Sequence, residues 1–523
     1  MSHAVVAIAV WLGAVAVDDP LATSNGWSKA HAGHLLRRAG FGGTPEQIDF
    51  LASLGREKAV GTLVDYEVVA DTGTPFELPP PPPPIRQTHP NADKDEIQRL
   101  RGLERRADRI QFERVAGWWL SRMVSSPRPL QEKMTLFWHG HFTSGYREVR
   151  SSRAMHLQND LFRRLATGSF RELLMDISED PAMILYLNTQ QNSKRKPNEN
   201  FARELLELFT MGVGHYTEND IKEAARAFTG VRLDRRTCKV SFRRRQHDFG
   251  EKTFLGKTGN FEPSDVIDII LDQPVTAEFM SRKMWEFFAY EDPEPAIVKA
   301  LASVFRESKY DVGALLQAMF RSDAFYSDRA RFTHIKSPVE LIVGTMRALE
   351  TPVFNDVTLL EHLRSMGQTL LQPPNVKGWD GGIAWINSST LFNRYNAPMH
   401  IVFGNDNARF RRALRRRMRQ LEETLGAEAP VMMGMGPENI IRAQPAYDPI
   451  RVIVEQGLSS AEAVVDHFVE RLLQRSIEPA RRKSLIEVLE RKIDARSVSR
   501  PSNADGIRAV IHLILSMPEY QLS

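Results

Sequence analysis

Apolar residues recur at spacings of three and four along most of the chain, the period of helices that turn one face to a core. Residues 30–38, 153–165, 169–178, 217–228, 263–271, 275–290, 295–305, 312–321, 338–349 and 359–370 read this way. Several starts are marked: Thr44-Pro45, Asp180-Pro181 and Ser337-Pro338 each put a capping side chain before a proline at the first helical position. Glu340, three residues after Ser337, completes a capping box. The mixed-charge run 93–114 predicts a helix that leads into the apolar segment 115–124. Pro127 and Pro129 then start the helix that carries His139. The period shifts at 231–256, where Val231-Arg-Leu, Lys239-Val-Ser-Phe and Lys252-Thr-Phe-Leu alternate between turn residues. This predicts a small β-hairpin or ribbon inserted in a helical body, with His247 and Asp248 at its end.

These readings give a mainly α protein: a large multi-helix domain over 27–410 with the β insertion, then a C-terminal helical segment over 455–523 that packs on it. Six consecutive prolines, Pro79 to Pro84, make 71–92 a loop in polyproline II conformation. Residues 424–450, rich in Gly, Met and Pro, read as a linker or long loop. Residues 1–26 read as a signal-like or disordered N-terminal segment. The apolar run 4–17 has the length of a signal-peptide core but lacks a Lys or Arg before it, and it is too short for a membrane span. No transmembrane anchor is expected.

Two segments place polar, metal-competent side chains inside runs that otherwise read as core. The first is Lys133-Met-Thr-Leu-Phe-Trp-His-Gly-His-Phe142. The second, residues 197–216, reads as a helix of about three turns, with Asn198 as N-cap and Gly212 or Gly214 as its stop. At about 100° per residue, Asn200, Glu204, Glu207 and Met211 share a stripe beside the apolar face, with Arg203 at its edge. Buried carboxylates must be paired, protonated or bound to a cation. His139 and His141 could reach one ion from an extended chain; on a helix they diverge by roughly 200°. His215, His247 and Asp248 are further candidate ligands. A divalent metal ion, Zn, Mn or Fe, would suit such imidazoles and carboxylates. The alternative is a hydrogen-bonded core histidine and a carboxylate paired with an arginine. A third region, Gln372-Pro-Pro-Asn-Val-Lys-Gly-Trp-Asp-Gly-Gly382, cannot be regular structure. Trp379, Asp380 and Trp385 either line a pocket for a sugar or aromatic ligand or plug the core beneath the loop.

These strings resemble the bacterial DUF1800 family. Phe137-Trp-His-Gly-His-Phe142 and the Asn198–Tyr216 run carry the likeness, with His34-Leu-Leu-Arg-Arg-Ala-Gly-Phe-Gly-Gly43, Ile335-Lys-Ser-Pro-Val-Glu340 and Pro373-Pro-Asn-Val-Lys-Gly-Trp379. The resemblance implies a helical, often exported protein of uncharacterised function, encoded beside a sulfatase-like DUF1501 partner in the cell envelope.

Composition narrows the picture a little further. The net charge of +4 is too small to mark a nucleic-acid binder, and the arginine-rich run 409–419 reads as a solvated helix face followed by Glu422 and Glu423. A single cysteine, Cys238, excludes an intrachain disulfide and a CxxC metal site. Two functional classes remain. One is a metal-dependent envelope enzyme, hydrolytic or oxidative, in which His139, His141 and Glu204, with His215 or His247, hold the ion, Glu207 either supports the ligands from behind or is the general base, Arg203 joins the catalytic carboxylates, and Asn200 binds the substrate. The other is a non-catalytic binding or assembly protein, in which the polar residues fix helix packing and the Trp379–Trp385 loop contacts the partner.

Overall fold

The computed structural model describes residues 19–24, 26–353, 356–404, 445–494 and 497–523. The signal-like run 4–17, the basic run 409–419 and most of 424–450 lie outside the described residues. Among the described residues the chain is mainly α-helical, with two antiparallel two-stranded ribbons. Val231–Asp234 pairs with Lys239–Phe242, and Lys252–Phe254 with Lys257–Gly259. His247 and Asp248 lie on the connection between the ribbons.

The marked helix starts behave as their chemistry dictates. Thr44 and Ser337 form complete capping boxes, and the Asp180 carboxylate accepts from Met183 N at 2.8 Å. The charged run and the apolar segment after it form one helix, Lys94–Ser125, whose buried residues lie from Phe112 onward. The polyproline stretch is docked: Pro79 and Pro82 carbonyls accept from Arg153 and Arg236. The loop around it is interrupted by one short turn, Ile85–Thr88.

Helix Pro129–His141 runs through the middle of the molecule and is buried on every side except at Gly140. Leu130, Met134, Phe137 and Trp138 join one apolar cluster, built with residues from 32 to 66 and from 161 to 330. Leu136 joins a second, built from the end of Lys94–Ser125, Pro338–Ala348, Ser388–Phe403 and the C-terminal helices. Of these, Ala504–Leu515 packs on Ser388–Phe403, and Ala461–Leu473 on Pro338–Ala348. The chain end is tied in by Ser523 N, which donates to the His334 carbonyl at 2.9 Å.

The second segment departs from expectation. The helix begins at Asn200 rather than just after Asn198, whose side chain accepts from Asn200 N at 3.0 Å. It is α-helical to Glu204, and Leu205–Thr210 is a π-helix. Met211 N bonds the Leu206 carbonyl, five residues back, at 3.0 Å, and Gly212 closes the helix at φ +79°. A π turn holds an extra residue, so the 100° wheel fails beyond Glu204.

Candidate functional site

A cavity of about 590 Å³ opens where helix Pro129–His141, helix Pro274–Phe288 and the irregular loop 372–387 meet. This is the size of an ordinary small-molecule site. Phe137, Phe287, Trp379 and Trp385 supply apolar surface. Lys283, Glu286, Glu291, Asp292, Lys377 and Asp380 bring charge, and His141, His334 and Glu340 complete the polar wall.

Lys283 and His141 form the centre of that wall. Lys283 Nζ lies 3.2 Å from His141 Nδ1 and 3.4 Å from the Leu208 carbonyl. The other ring nitrogen of His141, Nε2, lies 3.0 Å from the Phe209 carbonyl. Nε2 therefore carries the hydrogen that it donates to Phe209, and Nδ1 is left to accept from Lys283. Leu208 and Phe209 are among the last residues of the π-helix, whose carbonyls lack partners within the helix and carry partial negative charge. The two segments singled out in the sequence do meet, but through backbone carbonyls rather than carboxylates.

Burial sets the protonation of this pair. It pushes the Lys283 ammonium down to about 8, against a smaller opposing pull from Glu286. No carboxylate among the described residues comes within ion-pair distance of Lys283. Burial also holds His141 well below the usual imidazole range, and the Lys283 charge pushes the same way. Burial raises the Glu286 carboxyl in turn.

Behind the cavity sits a buried charge cluster. Glu340 accepts from Lys133 Nζ and from Ser337 N, the latter at 2.7 Å, and lies 3.4 Å from His334 and 3.9 Å from Arg38. Burial alone would raise this carboxyl, but Lys133, His334 and Arg38 outweigh it and hold it well below the carboxylate range. Arg38 also binds the carbonyls of Phe287 and Phe288, both at 2.9 Å, and so fixes the end of the helix that carries Lys283.

The loop sits against the histidine helix through glycine. Gly378, at φ +86°, lies directly over the Gly140 carbonyl. Trp379 then meets the His139 ring edge-on at 5.6 Å, and Trp119 also meets it edge-on at 5.6 Å. His139 Nε2 and Trp379 Nε1 are both buried without a hydrogen-bond partner. Burial alone takes His139 down to about 3, so it is neutral. Trp385 is 7% exposed, yet it lines the cavity. Wall and plug are thus one role for this residue, and Trp379 and Asp380 line the same space.

The proposed metal ligands are not brought together. Among the described residues no three His, Cys, Asp or Glu side chains are placed to hold an ion. His139 and His141 both lie on a helix, so they diverge: one ring faces Trp119 and Trp379, the other Phe209 and Lys283. His247 Nδ1 contacts the Thr229 carbonyl at 2.8 Å, and Asp248 is paired with Arg226 at 2.7 Å. His215 is exposed. Glu204 is half-buried, its carboxyl raised by burial and by the nearby Glu207 charge, with Arg203 and Lys377 partly offsetting both. Glu207 accepts from Tyr216 Oη at 3.2 Å. Arg203 is paired with Glu218 and Glu199, and Asn200 donates to the Leu187 carbonyl at 3.2 Å. None of these residues from 200 to 248 lines the cavity.

Sequence reasoning missed Lys283, Glu286 and the acidic pair Glu291 and Asp292. A signal was present: Lys283 stands four residues after Phe279 and four before Phe287, a charge between aromatic rings on one helix face. Its Nζ lies 5.2 Å from the Phe279 ring centre. Comparison with curated proteins and with solved structures returns no match. The family model described as protein of unknown function, DUF1800, matches residues 34–522. Nearly the whole chain is spanned by that match, and the protein belongs to the DUF1800 family.

Proposed function

We propose that the cavity between the histidine helix and the tryptophan loop is a binding and reaction site for a small hydroxylated ligand of the sugar class. The observation that carries this is the Lys283–His141 contact of 3.2 Å on the wall of a cavity that Trp379 and Trp385 also line. Tryptophan faces cover the apolar side of a sugar ring, and the surrounding carboxylates accept from its hydroxyls. His141 and Lys283 supply proton transfer beside them. The reading draws on no divalent ion, because the residues offered as ligands do not converge. Tryptophan fluorescence of the full chain, titrated with a panel of mono- and disaccharides, tests it. Saturable quenching that is lost in Trp379→Ala supports the site; no saturable response from any sugar overturns it.

A second reading is favoured by apolar side chains exposed on the loop that lines the cavity and on helix Ser388–Phe403, which follows it. Ile383 and Phe392 are 76% and 68% exposed. Exposed apolar side chains of this size suit protein contact, and the sulfatase-like DUF1501 protein implied by the family resemblance is the candidate. Pull-down of that protein, abolished by Ile383→Asp with Phe392→Asp, would support docking at these residues; capture unchanged by the double variant would overturn it.

A further inference from the structure

We propose that Lys283 Nζ is a nucleophilic amine that condenses with an aldehyde or ketone group of the ligand in this cavity, with His141 as its proton relay. The inference rests on the cavity reading above and deepens it, by naming the open-chain form of a sugar as the reactive species.

Three observations converge. Lys283 reaches the cavity from a packed helix, between Phe279 and Phe287, rather than from a mobile surface position. Its near partners are neutral: a ring nitrogen at 3.2 Å and a peptide carbonyl at 3.4 Å. Most lysines in ionic contacts stay ammonium ions, and an ammonium ion has no lone pair to offer; a lysine held by neutral acceptors in a desolvated wall keeps access to the free amine. Burial takes this amine to about 8, which leaves a useful fraction of it unprotonated near neutral pH. The titratable groups that share its surroundings are Glu286 on its own helix, His141 on the facing helix, and His334, Glu340, Glu291, Asp292, Lys377 and Asp380 around the cavity.

The reaction balances without an oxidant, reductant or co-reactant. The amine lone pair attacks the carbonyl carbon, a C–N bond forms, and the C=O electron pair moves to oxygen. One proton passes from nitrogen to that oxygen and gives the carbinolamine. His141 Nδ1 accepts the second nitrogen proton and returns it to the departing hydroxyl. The C–O bond breaks, water leaves with both protons from the amine, and an imine remains. Because His141 Nε2 is already committed to the Phe209 carbonyl, the Nδ1 lone pair stays directed at Lys283 throughout.

The test is reductive trapping. The full-length protein is incubated with glyceraldehyde and cyanoborohydride across pH 6–10, and adducts are located by peptide mass mapping. Lys283 should be modified at least tenfold faster than exposed lysines such as Lys483, with a midpoint near pH 8. Lys283→Arg, which keeps the charge and the helix, should lose the fast adduct. His141→Asn, with unchanged circular dichroism, should slow the adduct. Modification of exposed lysines alone, at equal rates, overturns the inference. If that result comes with intact saccharide quenching, the binding site stands and the covalent step falls; if quenching is absent too, both readings fall.

Discussion

Gly378 lies so close to Gly140 that a Cβ atom built on Gly378 would stand 2.4 Å from the Gly140 carbonyl oxygen. The two glycines belong to separate motifs, and the backbone of the second explains the first. The tryptophan loop can close on the histidine helix only if nothing projects from residue 378. Its φ of +86° excludes other residues for a second reason. Gly378→Ala should therefore destabilise by about 1–3 kcal/mol and lift Trp379 from His139, which urea unfolding and tryptophan fluorescence would register together. Gly140→Ala gives the contrast. Its Cβ would meet only a ring carbon of Trp379 at 4.0 Å, and it sits in a helix. That variant should be neutral or more stable by up to about 1 kcal/mol.

Acid should weaken the protein well before its carboxylates titrate out. His139 is held neutral down to about 3, and His156, His334 and His362 down to about 4, in each case chiefly by burial. Between those values and the ordinary 6.5, the unfolded chain binds protons that the folded chain refuses. Stability is then fully present above about pH 6.5 and falls as pH drops, by about 1.4 kcal/mol per pH unit for each such group. Urea midpoints from pH 7 to pH 4 measure the slope, and His139→Phe should make it shallower.

Removal of the Glu340 carboxylate should be costly. Glu340→Gln would leave Lys133 and Arg38 buried without their carboxylate partner, at a cost of about 3–5 kcal/mol and with soluble yield reduced. Expression and thermal unfolding of the variant would show it.

Arg203 offers the opposite case. Its side chain is 36% exposed, and its partner Glu218 is 68% exposed. Arg203→Ala should change stability by less than about 1 kcal/mol and leave saccharide quenching unaltered, because no part of Arg203 reaches the cavity.

Much of the architecture was legible because caps and periods are local signals. The Thr44 and Ser337 boxes, the helix after Asp180 and the ribbon at 231–242 all follow from residues within a few positions of each other. The site was harder. The Trp379–Trp385 loop declared itself by chemistry alien to its surroundings, and so did His141. Lys283 was overlooked because its partner lies 142 positions away, and its place between Phe279 and Phe287 marks a helix face without saying what that face meets. The acidic stripe misled for a different reason. Glu204 and Glu207 were placed on a wheel of α-helical period, while the chain changes period between them.

That change of winding gives the protein a vulnerable point far from the reactive groups. Loss of one residue between 205 and 210 would let the stretch rewind as ordinary helix and swing the Leu208 and Phe209 carbonyls by roughly 100°. The lysine and the imidazole would keep their places in the gene and lose their tether in the molecule. A lineage could silence this chamber with a three-base deletion, every side chain that faces the ligand still encoded.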